Sequence, residues 1–295
     1  MSKGFRIVSL CPSNTELVFA LGLGEYLVGI DNYSDYPADK LRHLPRLGPD
    51  LHIDVGLVEQ LAPDLVLSSL SVPGMERVVE GIQSAGLRQI VCNARNLSGV
   101  YEELQVIADG VPDSILDRMA VTRVVQGLQA RVSRIQEWTQ VHPTGLRIYW
   151  EWWAKPVFSP AQDNWLTEIT RLAGAENIFA HAPGQQVKDD GTRVCECQPD
   201  MMFAVWTGIT QDKVPLAKIL NRADSWQQTP AFQNRQIYVL SEGLYCRPGP
   251  RLVDGLEQLV SLLHPHFAQE QQLQPPHRYA PIRRISGEWM GGRQP

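Results

Sequence analysis

The feature that most constrains the fold is the regular alternation of strand-like and helix-like segments in the first third of the chain. Short apolar segments alternate with segments whose apolar residues recur at helical spacing; in order these are "FRIVSL", "PSNTELVFALGLG", "YLVGI", "VGLVEQLAP", "DLVLSS", "MERVVEGIQSAG" and "RQIVCN". Ser13 and Glu16 have the capping-box spacing at the start of the first helical segment. The alternation predicts an α/β fold with a mostly parallel sheet that is covered on both faces.

One long amphipathic pattern interrupts this alternation. It runs from residue 112 to about residue 140, and at about 1.5 Å per residue it would form a helix about 40 Å long. The alternation then resumes with "LRIYWEWW", "NWLTEITRLAG", "MMFAVWTG", "RQIYVL" and "RLVDGLEQLVSLLHP". The sequence therefore predicts an N-terminal lobe at 5–111, a linking helix at 112–142 and a C-terminal lobe at 143–266. Residues 267–295 are rich in Gln, Pro, Arg and Gly, and we expect a polar, mobile tail there.

Charge and hydropathy exclude two classes of partner. The 295 residues carry a net charge of −5, with charges of both signs mixed along the chain. A nucleic-acid-binding surface needs clustered basic residues, and a membrane span needs roughly 20 consecutive apolar residues. The sequence has neither, so we expect no nucleic acid and no membrane insertion. We also expect a monomer.

The N-terminus and the cysteines suggest a compartment. The chain runs from Met1 almost directly into "FRIVSL", which leaves no room for a secretory signal. The five cysteines form an odd set without scaffold-like spacing, as a reducing compartment tolerates. We therefore expect a cytoplasmic protein, or a periplasmic or extracellular one if this start is a processed one. Cys195 and Cys197 lack a second Cys/His pair at zinc-site spacing, and we expect no metal site.

The loops that follow the predicted strands are unusually rich in aromatic residues. In parallel sheets, ligands bind beyond the carboxyl ends of the strands, where these loops meet. The loops here are "DNYSDYP", "SSLSVPGM", "YWEWWAKP" and "SEGLYCRPGPR". Aromatic rings provide flat apolar walls with polar edges, and arginine provides a planar fork of donors. For any single aromatic residue, packing in the core is the competing interpretation.

Strand alternation divides the aromatic residues of "YWEWW" between two faces. Trp150 and Trp152 would share one face, while Tyr149, Glu151 and Trp153 would share the other. At least one of these faces could be buried, so not every tryptophan needs to contact a ligand.

Catalysis has little support in the sequence. No nucleophile elbow, metalloprotease motif, P-loop or dinucleotide fingerprint occurs. Asp163 and Glu242 lie in the candidate loops, where carboxylates usually belong to solvated turns. We therefore predict a binding protein without catalytic residues.

Several of these motifs resemble a known family. "RIVSLCPSNTELVFALGLGEYLVGIDNYSDYP", "LVEQLAPDLVLSSLSVPGMERVVEGIQSAGL", "AGAENIF" and "LYCRPGPRLVDGLEQL" are similar to the substrate-binding proteins of ABC importers for iron chelates and cobalamin, and the similarity covers nearly all of residues 5–264. It is strongest to members that lack a signal sequence. The resemblance implies two Rossmann-like α/β lobes joined by one long rigid backbone helix, with the ligand in the cleft between the lobes.

The resemblance also implies a set of ligand-binding residues. Carried over by position, these are Tyr33, Tyr36, Ser69, Trp152, Tyr245 and Arg247. The two tyrosines would form one wall of a slot for a flat macrocycle, and Tyr245 and Arg247 would hold its polar edge. Glu76 matches a glutamate that docks onto the transporter, although an acidic residue in a first helical turn also suits the helix dipole.

Three functions follow in order of preference. The first is non-catalytic binding of cobalamin or a related corrinoid, with no further cofactor and with an ABC transporter permease as a possible partner. The second keeps the fold and replaces the ligand by haem or an iron siderophore. An anionic siderophore would need a cluster of arginines, whereas Arg247 is the single candidate arginine in these loops. The third is an enzyme that modifies a tetrapyrrole through Asp163 or Glu242.

Overall fold

The computed structural model describes residues 4–290 of the chain. These residues belong to two compact units: unit 1 is Met1–Gln129 with Pro248–Pro250, and unit 2 is Ala130–Arg247 with Arg251–Pro295. The division falls inside one helix, Arg118–Thr139. That helix is shorter than the predicted linking helix at 112–142, because residues 113–115 form a turn before it begins.

Unit 1 is an α/β unit with one parallel sheet. Its elements are β1 (Ile7–Ser9), α1 (Pro12–Ala20), β2 (Leu27–Ile30), α2 (Ala38–Leu41), α3 (Val55–Gln60), β3 (Leu65–Ser69), α4 (Glu76–Ser84), β4 (Gln89–Cys92) and α5 (Leu97–Asp109), followed by α6 (Arg118–Thr139). The strands lie in the order β2-β1-β3-β4, and every pair is parallel. The predicted alternation therefore gives the predicted kind of sheet, and the central strands β1 and β3 are buried along their whole length.

The start of α1 differs from its prediction. Cys11 occupies the N-cap and Pro12 the first helical position, where a missing N–H costs nothing. Ser13 and Glu16 lie inside the helix, so the capping-box interpretation is wrong. Gly22, at φ +75°, follows the end of the helix in the left-handed conformation that a glycine adopts without strain.

Unit 2 repeats the α/β pattern with more elements. They are β5 (Arg147–Glu151), β6 (Trp153–Ala154), β7 (Val157–Pro160), α7 (Trp165–Leu172), β8 (Glu176–Asn177), β9 (Gln186–Asp189), α8 (Thr192–Glu196), β10 (Met201–Ala204), α9 (Leu216–Leu220), α10 (Asp224–Gln227), α11 (Pro230–Gln233), β11 (Ile237–Val239), α12 (Glu242–Tyr245), α13 (Leu252–Leu263), α14 (Pro265–Glu270), α15 (Pro276–Tyr279), β12 (Ile282–Arg284) and β13 (Trp289–Met290). The main sheet has the order β13-β12-β11-β10-β5-β8, and β6, β7 and β9 form a small antiparallel sheet.

The parallel part of the main sheet sets the position of the loops. Strands β11, β10, β5 and β8 are mutually parallel, so their carboxyl ends lie along one edge. Strands β12 and β13 extend the sheet in antiparallel fashion beside β11. The core between this sheet and its helices is built from fully buried residues such as Tyr149, Met202 and Ile237.

The described part of 267–295 is a structured element, and the predicted mobile tail is wrong there; residues 291–295 lie outside the described residues. Phe267 is buried, and its ring stacks on Trp138 at 4.2 Å between centroids. The Gln258 amide donates to the carbonyls of Pro276 and Ala280 at 2.7 and 3.1 Å. The polar composition of the segment did not predict these contacts, because they are made by backbone carbonyls and by a few apolar side chains such as Phe267.

Arg283 in β12 ties this segment to the loop after β10. Its Nη1 atom donates to the carbonyl oxygens of Gln211, Asp212 and Val214 at 3.0 to 3.1 Å. The Gln211 amide in turn donates to the carbonyls of Val239 and Pro281. The C-terminal strands therefore fix the path of residues 211–214.

We predict that Arg283→Met lowers the free energy of unfolding by about 1–3 kcal/mol, because three carbonyls lose a charged donor. The neighbouring Arg284 is exposed, and Arg284→Met is the matched control, with an expected change within about 0.5 kcal/mol. Denaturant unfolding of both variants measures the difference. Equal stability of the two variants would show that Arg283 does not fix the loop.

Candidate functional site

The carboxyl edge of the main sheet in unit 2 carries a buried carboxylate, Glu151, that accepts several hydrogen bonds. β5 ends at Glu151, and the loop after β10 begins with Val205 and Trp206. The backbone N–H of Val205 donates to the Glu151 carbonyl at 2.9 Å. The residues that follow both strands are therefore brought side by side.

Glu151 is a fully buried carboxylate that accepts three hydrogen bonds. The donors are the Tyr149 hydroxyl at 2.6 Å, the Trp206 indole N–H at 2.9 Å and Arg222 Nη2 at 2.6 Å. Burial raises the pKa of Tyr149 far above its usual value, and the nearby Glu151 charge adds to this. Burial by itself would lower the pKa of Arg222, but the contact with Glu151 leaves it raised. Glu151 therefore fixes both an indole and a guanidinium.

A cavity of about 830 Å³ lies beside this carboxylate, entirely within unit 2. Its volume falls in the range of small-molecule sites. Aromatic and cationic side chains dominate its lining, among them Trp153, Lys155, Trp206, Lys218, Arg222 and Trp226. The Arg222 guanidinium lies over the Trp226 ring at 4.2 Å, and Trp153 and Trp206 lie 6.3 Å apart between ring centroids. This arrangement suits a ligand with a flat apolar portion.

The predicted division of "YWEWW" between two faces is confirmed. On one face, Trp150 contacts Tyr245 at 5.2 Å between centroids, and Trp152 lies 6.3 Å from Trp165. On the other face lie the Tyr149–Glu151 hydrogen bond and Trp153. Trp150 is fully buried and its indole donates to Thr170, so it is a core residue.

Trp152 lies at the sheet edge, as the sequence predicted. Its side chain is partly exposed, and its backbone N–H donates to the Phe158 carbonyl at 2.9 Å. The indole nitrogen is buried and has no hydrogen-bond partner among the described residues. An unpaired buried donor costs free energy, so a ligand acceptor at this nitrogen would be favourable.

Tyr245 lies in the core, which leaves no surface for the ligand contact that was predicted. It is fully buried, and its hydroxyl lies within hydrogen-bond distance of the Gly255 carbonyl and of Gln258 Oε1, at 3.1 and 2.8 Å. Its prediction as a ligand-binding residue was carried over from the family resemblance, whereas here α12 turns the side chain toward α13. We therefore leave Tyr245 out of the proposed set.

Arg247 lies near the same edge, where it is buried and forms an ion pair with Glu242. It is 8% exposed, and its Nη2 atom lies 3.4 Å from Glu242 Oε1. Glu242 Oε2 accepts from the backbone N–H of Gly208 at 2.6 Å. The pair therefore joins the loop after β10 to α12, and Glu242 is held as a structural acceptor. Asp163, the other candidate acid, is exposed before α7.

In unit 1, Tyr33 and Tyr36 project from a well-braced loop after β2. Their side chains are 50% and 48% exposed. Buried Asp31 accepts from the backbone N–H groups of Tyr33 and Ser34 at 2.6 and 3.0 Å, and the Ser34 hydroxyl also donates to it. Burial raises the pKa of Asp31, although these hydrogen bonds oppose the rise. Turn chemistry thus holds the loop, and the two rings face solvent.

Arg46 braces the same loop from outside. Its Nη1 atom donates to the carbonyls of Asp31 and Ser34 at 2.9 and 2.6 Å. The Ser34 hydroxyl also lies 2.7 Å from the hydroxyl of Thr15 in α1. The loop that carries the two tyrosines is therefore held by hydrogen bonds from two other segments of unit 1.

Ser69 and Glu76 both have local roles. Ser69 is 5% exposed; its hydroxyl donates to the Ser71 hydroxyl at 2.9 Å and accepts from the Ser71 backbone N–H. Glu76 begins α4, and its carboxylate accepts from the Gly74 N–H at 2.7 Å. The Ser69 hydroxyl is buried and already hydrogen-bonded within the loop, which argues against contact with a ligand. Glu76 is exposed, as a docking residue would be.

Among the aromatic and cationic residues that line the cavity, the sequence analysis missed Trp206, Lys218, Arg222 and Trp226. Trp206 follows β10 directly, so the rule that ligands bind beyond strand ends could have found it. Lys218, Arg222 and Trp226 lie on α9, α10 and their connection, a stretch without clear periodicity. Only the fold brings them to Glu151, which is 71 residues from Arg222 along the chain.

Within residues 4–290, no group of three or more His, Cys, Asp or Glu side chains could hold a metal ion. All five cysteines are free, and the Cys195 thiol lies 3.6 Å from the Ser225 hydroxyl. Among the helices of the same described part, none has the length and apolar character to cross a membrane.

The chain matches a known protein family over most of its length. The profile of a family described as "Periplasmic binding protein" matches residues 7–243. An uncharacterized ABC transporter substrate-binding lipoprotein of Bacillus subtilis, YvrC, is 28% identical over 272 residues, which cover 90% of this chain and 82% of the relative. These matches confirm the family that the motifs predicted.

A second sequence relative, the vitamin B12-binding protein of Vibrio cholerae, is 28% identical over 269 residues, covering 90% of this chain and 91% of the relative. Two solved structures confirm the fold. The crystal structure of the V. cholerae periplasmic vitamin B12 binding protein has a TM-score of 0.72 at 25% identity and covers 90% of this chain and 98% of its own. The haem complex of S. aureus IsdE, at 16% identity, has a TM-score of 0.77 over 89% of this chain and 100% of its own, which shows the fold alone.

We predict that Glu151→Gln lowers the free energy of unfolding by about 3–5 kcal/mol, because it leaves the buried Arg222 without a counter-charge. Glu196 is exposed on α8, and Glu196→Gln is the matched control, expected to change stability by less than about 0.5 kcal/mol. Denaturant unfolding followed by circular dichroism measures both variants. A Glu151→Gln protein as stable as the control would mean that the carboxylate does not organise this site.

Proposed function

The chain belongs to the periplasmic binding protein family, and on that premise we propose that it binds cobalamin or a related corrinoid without converting it. The observation that carries the proposal is the cavity in unit 2, with three indoles at the carboxyl edge of a parallel sheet. The vitamin B12-binding relative of V. cholerae, aligned over 90% of this chain, supports the choice of ligand.

The chemistry of the cavity fits a corrinoid. A corrinoid is a flat macrocycle with a polar rim, and indole rings offer flat apolar surfaces together with an N–H at the edge. Trp153 is 42% exposed, so a ligand would cover apolar area that water now contacts. Trp152 does not line this cavity; it remains a proposed ligand contact because it follows β5 at the carboxyl edge of the sheet and is partly exposed.

Tyr33 and Tyr36 are the proposed contacts of unit 1. Two half-exposed aromatic rings on a braced loop bury area on binding at a small cost in entropy, because the loop is already ordered. Ordinary turn chemistry accounts for Asp31 and Ser34, and ligand contact would account for two half-exposed rings on the same loop.

Haem is a weaker candidate for the cavity. Haem iron is held in proteins by His, Cys, Met or Tyr side chains. None of the residues that line the cavity is of these types; the tyrosines among the proposed contacts, Tyr33 and Tyr36, belong to unit 1. Haem therefore serves as the comparison ligand in the tests.

An ABC transporter is the proposed protein partner. The name of the B. subtilis relative describes a substrate-binding lipoprotein of such a transporter, and Glu76 is the proposed docking residue. The cytoplasmic location expected from the sequence has no support among the relatives, which include a lipoprotein and a periplasmic protein. Delivery to an importer requires the ligand to be bound outside the cytoplasm.

We predict that cobalamin binds with one ligand per chain and quenches tryptophan fluorescence, because Trp153, Trp206 and Trp226 line the proposed site. Fluorescence titration and calorimetry of the full chain measure affinity and stoichiometry, with haemin as the comparison. The absence of both quenching and heat with cobalamin and with cobinamide would remove the proposed function.

We further predict that the double variant Tyr33→Ser/Tyr36→Ser weakens cobalamin binding about five- to tenfold, since stacking on an aromatic ring contributes on the order of 1 kcal/mol. Its free energy of unfolding should stay within about 0.5 kcal/mol of the original, because both rings are half exposed. The double variant Tyr33→Phe/Tyr36→Phe keeps the rings and is the matched control. Full affinity in the serine variant would exclude these rings from the site.

A further inference from the structure

We propose that the cavity in unit 2 is a subsite for an anionic group that the ligand carries next to a flat ring, and that Arg222 and Lys218 receive this group. The inference rests on the proposed function, because it concerns the same binding edge. It adds a chemical requirement that a flat macrocycle alone does not impose.

Arg222 is the first reason for an anion. Its side chain is 9% exposed, lines the cavity and lies over Trp226. Nη2 is bound to Glu151 at 2.6 Å, and the guanidinium forms part of the cavity wall. Its planar array of N–H groups suits an oxyanion in the cavity, which would form a charge-assisted hydrogen bond with it.

The charge of the lining is the second reason. Lys155, Lys218 and Arg222 are cationic, whereas Asp190 is the single acid among the lining residues. Glu151 lies behind the lining and already accepts hydrogen bonds from three donors. Lys155 and Lys218 are exposed, so a ligand can reach them. The lining of the cavity therefore carries an excess of positive charge.

The indoles supply the place for the flat ring beside the anion. Trp206 is held by its hydrogen bond to Glu151, the same carboxylate that holds Arg222. Trp153 lies 6.3 Å from Trp206 and is partly exposed. Glu151 therefore positions both the Trp206 indole, which would stack on the ring of the ligand, and the Arg222 guanidinium, which would bind the adjacent anion.

Two ligand groups have this chemistry. Cobalamin carries a phosphodiester next to a benzimidazole ring, and cobinamide lacks both. Haemin carries carboxylates on a flat macrocycle. The shared requirement is an oxyanion next to a ring, and a comparison of the three ligands identifies which source the cavity accepts.

The test compares Lys218→Gln with Lys213→Gln in the full chain. Lys213 is exposed in the same part of unit 2 but does not line the cavity, so it is the matched control. We expect Lys218→Gln to weaken cobalamin binding about tenfold, as the loss of one charge-assisted contact does, while cobinamide binding and the control stay unchanged. The cobalamin affinity of the original chain should also fall as salt rises, since the lysines are exposed.

Arg222→Lys provides a second variant. It keeps the charge opposite Glu151, so the fold is retained, but it loses the planar fork. We expect weaker cobalamin binding, unchanged cobinamide binding and a nearly unchanged melting temperature. Should Arg222→Lys fail to fold, Lys218→Gln decides the question.

The outcomes separate the two proposals. If the original chain binds neither corrinoid nor haemin, the proposed function fails and the subsite falls with it. If cobalamin binds equally well to Lys218→Gln, Arg222→Lys and the original chain, the subsite is overturned while corrinoid binding stands. If haemin alone binds, and its affinity is lower for Lys218→Gln than for the original chain, the anion is a carboxylate. This result would support the subsite and overturn the proposal that the ligand is a corrinoid.

Discussion

The organisation of unit 2 depends on one buried carboxylate, Glu151. A fully buried charge is tolerated only when hydrogen bonds and a counter-charge compensate for the lost water. Glu151 obtains both, from Tyr149, Trp206 and Arg222. These donors come from different parts of the chain, so the carboxylate can be satisfied only when the loop after β10 and the region of α9 and α10 are in place. The requirement that stabilises the charge therefore also positions the wall of the cavity.

The C-terminal strands complete this wall from the other side. The loop between β10 and α9 contributes Ile209 and Pro215 to the cavity. Its carbonyls at Gln211, Asp212 and Val214 would otherwise depend on water, and Arg283 satisfies all three. The family profile ends at residue 243, whereas this support comes from β12. A segment outside the residues that the family profile matches thus shapes the candidate site.

Local patterns predicted the fold well because they encode local physics. Alternating strand and helix periods identified the parallel sheets, and the period of two in "YWEWW" placed Trp150 and Trp153 on opposite faces. The candidate site was harder to predict, because it depends on contacts between distant segments. Arg222 meets Glu151 only through the fold, and Tyr245 is buried by a short helix, α12, that turns it toward α13. The tail was mistaken for a mobile one because Arg283 acts through backbone carbonyls, which no composition reveals.

The two units present their aromatic residues by different physical means, and this difference bears on binding. In unit 1 the backbone is held and the rings are left half exposed, since Asp31 and Arg46 bind the loop while Tyr33 and Tyr36 face water. In unit 2 the indole of Trp206 is itself fixed by a hydrogen bond, and Arg222 is fixed beside it. Fixed groups lose little entropy on binding and select the shape and charge of a ligand, whereas exposed rings add area with less selectivity. Specificity for one ligand over another should therefore reside mainly in the Glu151 network, and the tyrosines should contribute affinity that many flat ligands could share.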